Sequence, residues 1–297
     1  MQVPVLILSE NTRGAFLMMG SMAAFTVNDT FIKLVAGELP LFQAIFIRGV
    51  VTSLLLLSLG LASGRLRWRI SSHDRRLVGL RTLAELGATT FFLTALFHMP
   101  LANVTAILQA LPLAITLAGA VFLKESVGWR RYGAIAIGFF GVMLIIRPGS
   151  AGFDAFSIYA LVAVAFVVVR DLTTRRLSRD VPSLTVALVT ALAVTTMGAV
   201  VTMFADWQPV SLANMLSLGA AAIFIVAGYT LAVMVMRVGE IGFVAAFRYT
   251  SLIWAILLGL LVFREFPAAP TLLGGMIVVL TGIYAIYRER IAHRPKP

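Results

Sequence analysis

Ten blocks of apolar residues, 15 to 25 residues long and separated by short charged or Pro/Gly-containing stretches, take up almost all of this 297-residue chain. About 20 apolar residues is the length an α-helix needs to cross the hydrocarbon core of a bilayer. Lipid offers the backbone no hydrogen-bond partner, so each block must be helical. The blocks run Gly14 to Ala36, Leu41 to Ala62, Leu77 to His98, Leu101 to Leu123 and Tyr132 to Ile146, then Ala155 to Thr174, Ser183 to Phe204, Leu212 to Met236, Ile241 to Phe263 and Thr271 to Tyr287. Little chain is left for a domain outside the membrane. A composition of 60% hydrophobic and 12% charged residues exceeds what one water-soluble core could bury. The expected fold class is an all-α integral membrane protein with ten transmembrane helices. The run Val3 to Leu8 is too short for a secretory signal and lacks a preceding basic region, so it reads as a mature N-terminus.

Net charge is +11, which in a soluble protein would suggest nucleic acid as a partner. Here its placement gives a topological explanation instead. Arg65, Arg67, Arg69, Arg75 and Arg76 follow the second block, Lys124, Arg130 and Arg131 the fourth, Arg175, Arg176 and Arg179 the sixth, and Arg288, Arg290, Arg294 and Lys296 the tenth. The alternate connections carry only the isolated Lys33, Arg147 and Arg264. Basic residues collect on the cytoplasmic side, so both termini are expected there, in a bacterial inner membrane. Trp68, Trp129 and Trp207 lie near connections, where tryptophan anchors the membrane interface.

Two segments repeat. Ala118 to Glu125 recurs as Leu258 to Glu265 at an offset of 140, pairing Gly119 with Gly259 and Lys124 with Arg264. Gly133 and Gly141 match Gly274 and Gly282 at 141, and Pro40 matches Pro182 at 142, as Ala24 to Asp29 weakly matches Phe166 to Asp171. The unit is half the chain, giving expected domains of residues 1–150 and 151–297. Five spans is an odd number, so the second half enters from the opposite face, and the halves form an inverted repeat. Such repeats place a site where the halves meet and can rock between two mirror-related states.

The chain resembles the drug/metabolite transporter superfamily in its EamA-type branch. The resemblance is carried by Phe42-Gln-Ala-Ile-Phe-Ile-Arg48, by Ala95 to Ile107 leading to Pro112, by the Glu125 and Glu265 endings, and by Ile145-Ile-Arg-Pro-Gly149. It implies a transporter rather than an enzyme. Within that branch it is similar to bacterial exporters of aromatic and other apolar amino acids, with drugs, nucleosides or other metabolites as the alternative cargo. It also implies a structural role for Arg48.

Ionisable groups at membrane depth are costly and mark function or a fixed pair. The candidates are Asp29, Arg48, Glu85 and Arg248, with Arg170 and Asp171 nearer a span end. Counting residues from the connections puts Asp29 level with Arg48, and Glu85 level with Arg248. Two ion pairs, one toward each face, are therefore expected to gate or couple transport; a different pairing, with Glu85 facing solvent, stays open. Pro112 should bend the fourth span beside Gln109, on a helix that also carries Asn103, Thr105 and Thr116. Arg248, Tyr249, Thr250, Ser251 and Trp254 form the corresponding cluster on the ninth. A zwitterionic amino acid needs donors for its carboxylate, acceptors for its ammonium and an apolar wall. Arg248 could supply the first, Glu85 or Asn28 the second, and Phe92, Tyr229, Tyr249 and Trp254 the third, with Gln109 lining the bend.

Other classes fit less well. No cysteine and only three scattered histidines leave no metal-ligand or Cys-nucleophile pattern, and no cofactor is implied. An intramembrane enzyme would need a reacting pair, yet His98 stands alone at a span end and no Gly-x-Ser-x-Gly occurs. No phosphate-binding Gly-x-x-x-x-Gly-Lys loop appears, so a gradient, through protons or facilitated diffusion, is the expected energy source. No pore-lining stripe suggests a channel. The expected partners are a small solute, lipid and protons, and the expected working unit is a monomer.

Overall fold

The structure, a computed structural model, describes residues 9–64, 66–122, 124, 128–150, 153–178, 180–235 and 241–292. Val3 to Leu8, Arg65, Leu123, Glu125, Arg179, Met236, Arg294 and Lys296, named above, lie outside the described residues, as does the histidine His293. Among the described residues, twelve α-helices follow one another: α1 (Glu10–Leu34), α2 (Leu41–Ser63), α3 (Ser72–His98), α4 (Leu101–Leu108), α5 (Leu111–Phe122), α6 (Trp129–Ile146), α7 (Phe156–Arg175), α8 (Ser183–Thr202), α9 (Leu212–Val235), α10 (Ile241–Val244), α11 (Thr250–Leu258) and α12 (Ala269–Ala292). A 3₁₀ turn, Ala245–Tyr249, joins α10 to α11, and π-helical Gly259–Phe263 extends α11. Together they give ten helices long and apolar enough to cross a membrane, α4 and α5 forming the fourth and Ala245–Phe263 the ninth.

Local chemistry sets the ends. Ser9 and Ser71 accept the backbone N–H of Thr12 and Asp74, capping α1 and α3 a turn or so before their apolar stretches begin. Those polar first turns explain why hydropathy alone starts the two spans late. Pro40, Pro100 and Pro182 occupy the N-caps of α2, α4 and α8, where no backbone donor is lost. Arg147 and Arg264 cap helix ends in the left-handed conformation, at φ of 53° and 57°, and Lys124, two residues past α5, has φ 56°. Glycine is usual at such a position, but here a cation sits against the negative end of the helix dipole. Lys124 and Arg264 are repeat mates, and they share this backbone geometry.

The most extensive helix pairings are α1 with α9, α3 with α7, α2 with α8 and α6 with α12. Each joins one half to the other. Exchanging the halves turns the α1–α9 pairing into α7–α3 and returns the other two to themselves, as two inverted copies related by a pseudo-two-fold axis require. Two apolar cores flank the fourth span. One gathers Val104, Ile107, Leu113, Val142, Ala160 and Val278, the other Ile32, Ile45, Leu93, Leu101 and Leu218. Large apolar side chains such as Phe16, Leu54 and Ile253 point outward, at no cost in lipid. Trp68, Trp129 and Trp207 are exposed at span ends.

Glycines let the α2–α8 pair approach closely. A Cβ on Gly198 would stand 2.8 Å from the Phe46 nitrogen, and one on Gly49 would strike Thr195. The obstacle at Gly198 is backbone, which cannot rotate away. Gly198→Leu is therefore expected to destabilise the fold by about 3 kcal/mol or more. Thermal melting of the detergent-solubilised chain, followed by gel filtration, reads this; an unchanged melting point would contradict the packing.

Candidate functional site

The loops with Arg67, Arg69 and Arg130 mark one end of the bundle, the basic face; those around Gly37, Pro100 and Trp207 lie at the opposite face. Between them α1, α2, α3, α7 and α9 enclose a run of polar side chains. The close α1–α9 and α3–α7 pairings turn Asn28, Tyr229, Glu85 and Arg170 inward.

Toward the basic face, Arg170 is the centre of the charge network. Its Nε donates to Asp171 Oδ1 at 2.9 Å, and its Nη1 lies 3.3 Å from Glu85 Oε2. Arg81 approaches the same Glu85 oxygen at 4.0 Å and donates to Thr174 and Thr190 at 3.0 and 2.7 Å. The expected Glu85–Arg248 pair is not made. Counting along helices fixes depth but not direction around the bundle, and α3 lies along α7, so the cation at hand is Arg170. Arg248 belongs to the 3₁₀ turn, which packs against α1 and α12.

Nearer the opposite face, Asp29 and Arg48 do not touch directly. Asn28 stands between them: Arg48 Nη1 donates to Asn28 Oδ1 at 3.3 Å, and Asn28 Nδ2 donates to Asp29 Oδ1 at 2.9 Å. A carboxamide can bridge a cation and an anion because it carries both an acceptor and donors. Asn28 and Arg48 are buried, at 3% and 7% exposure, and the bridge supplies a polar partner to each charge. Tyr229 sits between the two groups, within electrostatic reach of Glu85, Arg170, Arg81 and Arg48, with its ring edge-on to Phe25 at 5.2 Å.

The fourth span breaks just before Pro112, as its missing N–H predicts, with Gln109 and Ala110 in the turn. The ninth breaks at its repeat-related position without any proline. Gln109 ties the two breaks together, its Nε2 donating to the Tyr249 carbonyl at 3.1 Å and Ser251 Oγ at 3.0 Å. Around this strut, three buried polar atoms, Asn103 Oδ1, Tyr249 Oη and Trp254 Nε1, have no hydrogen-bond partner among the described residues. Arg248 makes no ion pair or side-chain hydrogen bond with any described residue. Phe92 packs against both apolar cores.

The structure thus gathers Asn28, Asp29, Arg48, Glu85 and Tyr229 into one charged region, and Gln109, Arg248, Tyr249, Trp254 and Pro112 about the two broken spans. From the sequence, Arg170 and Asp171 are candidates only as charges nearer a span end, and Arg81, just inside the third span, has no assigned role. Their signal was the weak repeat, which pairs Asp171 with Asp29. No three His, Asp or Glu side chains among the described residues are grouped to hold a metal. His98 stacks on Phe156 and bonds the Thr94 carbonyl.

Comparison with known proteins agrees with this architecture. The model of the EamA-like transporter family matches twice, over residues 12–147 and 156–288. The S-adenosylmethionine uptake transporter of Rickettsia prowazekii is 24% identical over 91% of this chain and 91% of its own. The pseudopaline exporter of Pseudomonas aeruginosa strain UCBPP-PA14 is 24% identical over 91% and 94%. The riboflavin transporter of Vibrio cholerae is 29% identical over 67% of each chain. A solved crystal structure 20% identical in sequence superposes with a TM-score of 0.64, covering 95% of this chain and 99% of the other, which shows the fold. With its ten spans and two inverted copies, this multi-pass membrane protein is a transporter and not an enzyme, and it belongs to the EamA-like transporter family.

Proposed function

We propose that the chain is a secondary transporter exporting amino acids with aromatic or other apolar side chains, or similar zwitterionic metabolites, across a bacterial inner membrane. The basic face, with both termini, is cytoplasmic. Residues 1–150 and 151–297 are the two units that rock, on one monomer, about the residues between them. The observation that carries this reading is Arg248, which has no ion pair among the described residues, in the same turn as Tyr249 and close in sequence to Trp254, whose hydroxyl and indole N–H have no hydrogen-bond partner among them. Buried polar groups without partners are expensive, most of all in lipid. A ligand that presents a carboxylate to Arg248 and acceptors to the two ring donors removes that cost. Asn103 Oδ1 and Glu85 offer acceptors for an ammonium, and Phe92 and Tyr229 an apolar wall.

A second reading is favoured by the relatives' names. Riboflavin and S-adenosylmethionine point to a larger heteroaromatic cargo, and the relatives are named for uptake as well as for export. Asp29 and Glu85 are the carboxylates proposed to exchange protons with the cargo's passage.

Counterflow in proteoliposomes with a panel of amino acids, riboflavin, nucleosides and cationic drugs separates these readings. Amino acids are expected to be exchanged, and Arg248→Ala is expected to reduce that exchange by at least about tenfold. Exchange of no amino acid would end the first reading. Normal exchange by Arg248→Ala would end the assignment of Arg248. Exchange indifferent to an imposed pH gradient would remove protons from the scheme.

A further inference from the structure

At the opposite face, one lysine holds three span ends. Lys33, in the last turn of α1, reaches both carboxylate oxygens of Glu265 at 3.0 and 2.9 Å and the Met99 carbonyl at 2.8 Å. Its ammonium lies 4.9 Å from the centre of the Phe263 ring. Glu265 also accepts the backbone N–H of Leu101, at 3.4 Å. Lys33, Met99 and Leu101 belong to the first half and Glu265 to the second. The pair therefore fastens the ends of the first and fourth spans to the end of the ninth. Local backbone aims the carboxylate. The π-helical turn ends at left-handed Arg264, and the Glu265 N–H folds back to the Gly259 carbonyl at 3.0 Å.

Other contacts at this face also cross between halves. Asn214 donates to Glu38 at 2.8 Å, Gln43 to the Gln208 carbonyl at 2.7 Å, and Arg147 to Thr271 at 3.3 Å. The α6–α12 pair is tight here as well, since a Cβ on Gly141 would come within 2.9 Å of the Gly274 carbonyl. Exchanging the halves maps Gly141 and Gly274 onto Gly282 and Gly133, nearer the basic face. Those two do not mirror the contact: a Cβ on Gly133 would meet open space, and one on Gly282 would strike the Tyr249 hydroxyl. A transporter halfway between its two states would show both glycine pairs alike. Hydrogen bonds between the halves occur at the basic face too, Ser178 donating to Asp74 at 3.1 and 3.0 Å and the Arg67 N–H to Thr185 at 3.0 Å, so it is the tight glycine crossing that distinguishes the opposite face.

We propose that the Lys33–Glu265 pair is the latch that holds the opposite face shut, and that its rupture lets the ends of the first and ninth spans part. The inference rests on the reading of the chain as an alternating-access transporter, and its test needs no substrate.

The chain has no cysteine, so a single one reports cleanly. Ala255 is fully buried beside Ile32, Ile45 and Leu218, behind the latch. Ala255→Cys in the full chain, placed in lipid nanodiscs that leave both faces accessible, is treated with a hydrophilic maleimide. Slow labelling is expected with the latch intact, and labelling at least about tenfold faster with Lys33→Gln or Glu265→Gln. Lys33→Glu combined with Glu265→Lys restores the pair and is expected to return the slow rate. Gly141→Leu, a wedge at the closed crossing, should label fast, and Gly133→Leu should not. Glu265→Gln preserves shape and the acceptor for Leu101, so it is the variant most certain to fold.

Rates within about twofold of the parent in Lys33→Gln, Glu265→Gln and Gly141→Leu alike would overturn the latch. So would fast labelling that the reversed pair fails to slow, because loosened packing would then explain the gain. Labelling as expected with no amino acid exchanged would overturn the substrate reading alone. Exchange of amino acids with indifferent labelling would overturn the latch alone.

Discussion

Arg170→Met is expected to abolish transport and to lower stability by about 3–5 kcal/mol, the cost of leaving a buried charge without its partner. Arg170 sits 3.3 Å from Glu85 and 2.9 Å from Asp171, so one substitution strands two carboxylates. Arg81, 4.0 Å from Glu85, offsets part of the loss for that residue but makes no contact with Asp171 among the described residues. The measurement is thermal unfolding in detergent together with exchange in proteoliposomes.

A fold defect alone would also stop transport, so the informative comparison is the triple variant Glu85→Gln, Arg170→Met, Asp171→Asn. It removes every charge that the single change leaves stranded. Replacing buried ion partners together with neutral side chains of similar volume is often neutral for stability, and Arg81, which stays charged, keeps its hydrogen bonds to Thr174 and Thr190. The triple variant is expected to melt near the parent. If the charges take part in moving a zwitterion or a proton, it still fails to transport. Exchange at the parental rate would show that the network only fixes α3 against α7.

The spans were legible because the requirement is one-dimensional: enough apolar residues to cross, and nothing else in lipid for the backbone to bond. The polar first turns of α1 and α3 escaped that criterion, since Ser71-capped residues such as Asp74 are not apolar. The break in the fourth span was written in Pro112, whereas the one in the ninth arises from packing and the Gln109 contact and has no residue that announces it. Depth was legible too, and it placed Asp29 beside Arg48 and Glu85 in the charged region. Direction around the helix was not. Arg248 was expected level with Glu85, but its turn packs against α1 and α12 while Glu85 meets Arg170 on α7, and that coordinate depends on which helices pack. Lys33 and Glu265 were visible only as an isolated cation and a repeated ending, because a contact between residues 232 positions apart exists only once the halves are folded together.

Exchanging the charge and the amide at the bridge, Asn28→Asp with Asp29→Asn, tests where a carboxylate must stand. Asn28→Asp alone is expected to cost about 2–4 kcal/mol. It deprives Asp29 of its donor and sets two carboxylates side by side, and the direct pair gained with Arg48 does not offset both losses. Adding Asp29→Asn removes the repulsion and restores a chain of guanidinium, carboxylate and amide with the same net charge. The double variant should recover to within about 1 kcal/mol of the parent, because every group again has a partner of the right kind. Only the address of the negative charge has changed, by one residue and so by about 100° around α1. A carboxylate that served merely to neutralise Arg48 would do so at least as well from position 28, now in direct contact. One that must face the transport path to take up a proton or an ammonium would not. Recovered melting with lost exchange in proteoliposomes is therefore the expected result, and recovery of both would reduce Asp29 to a counter-ion.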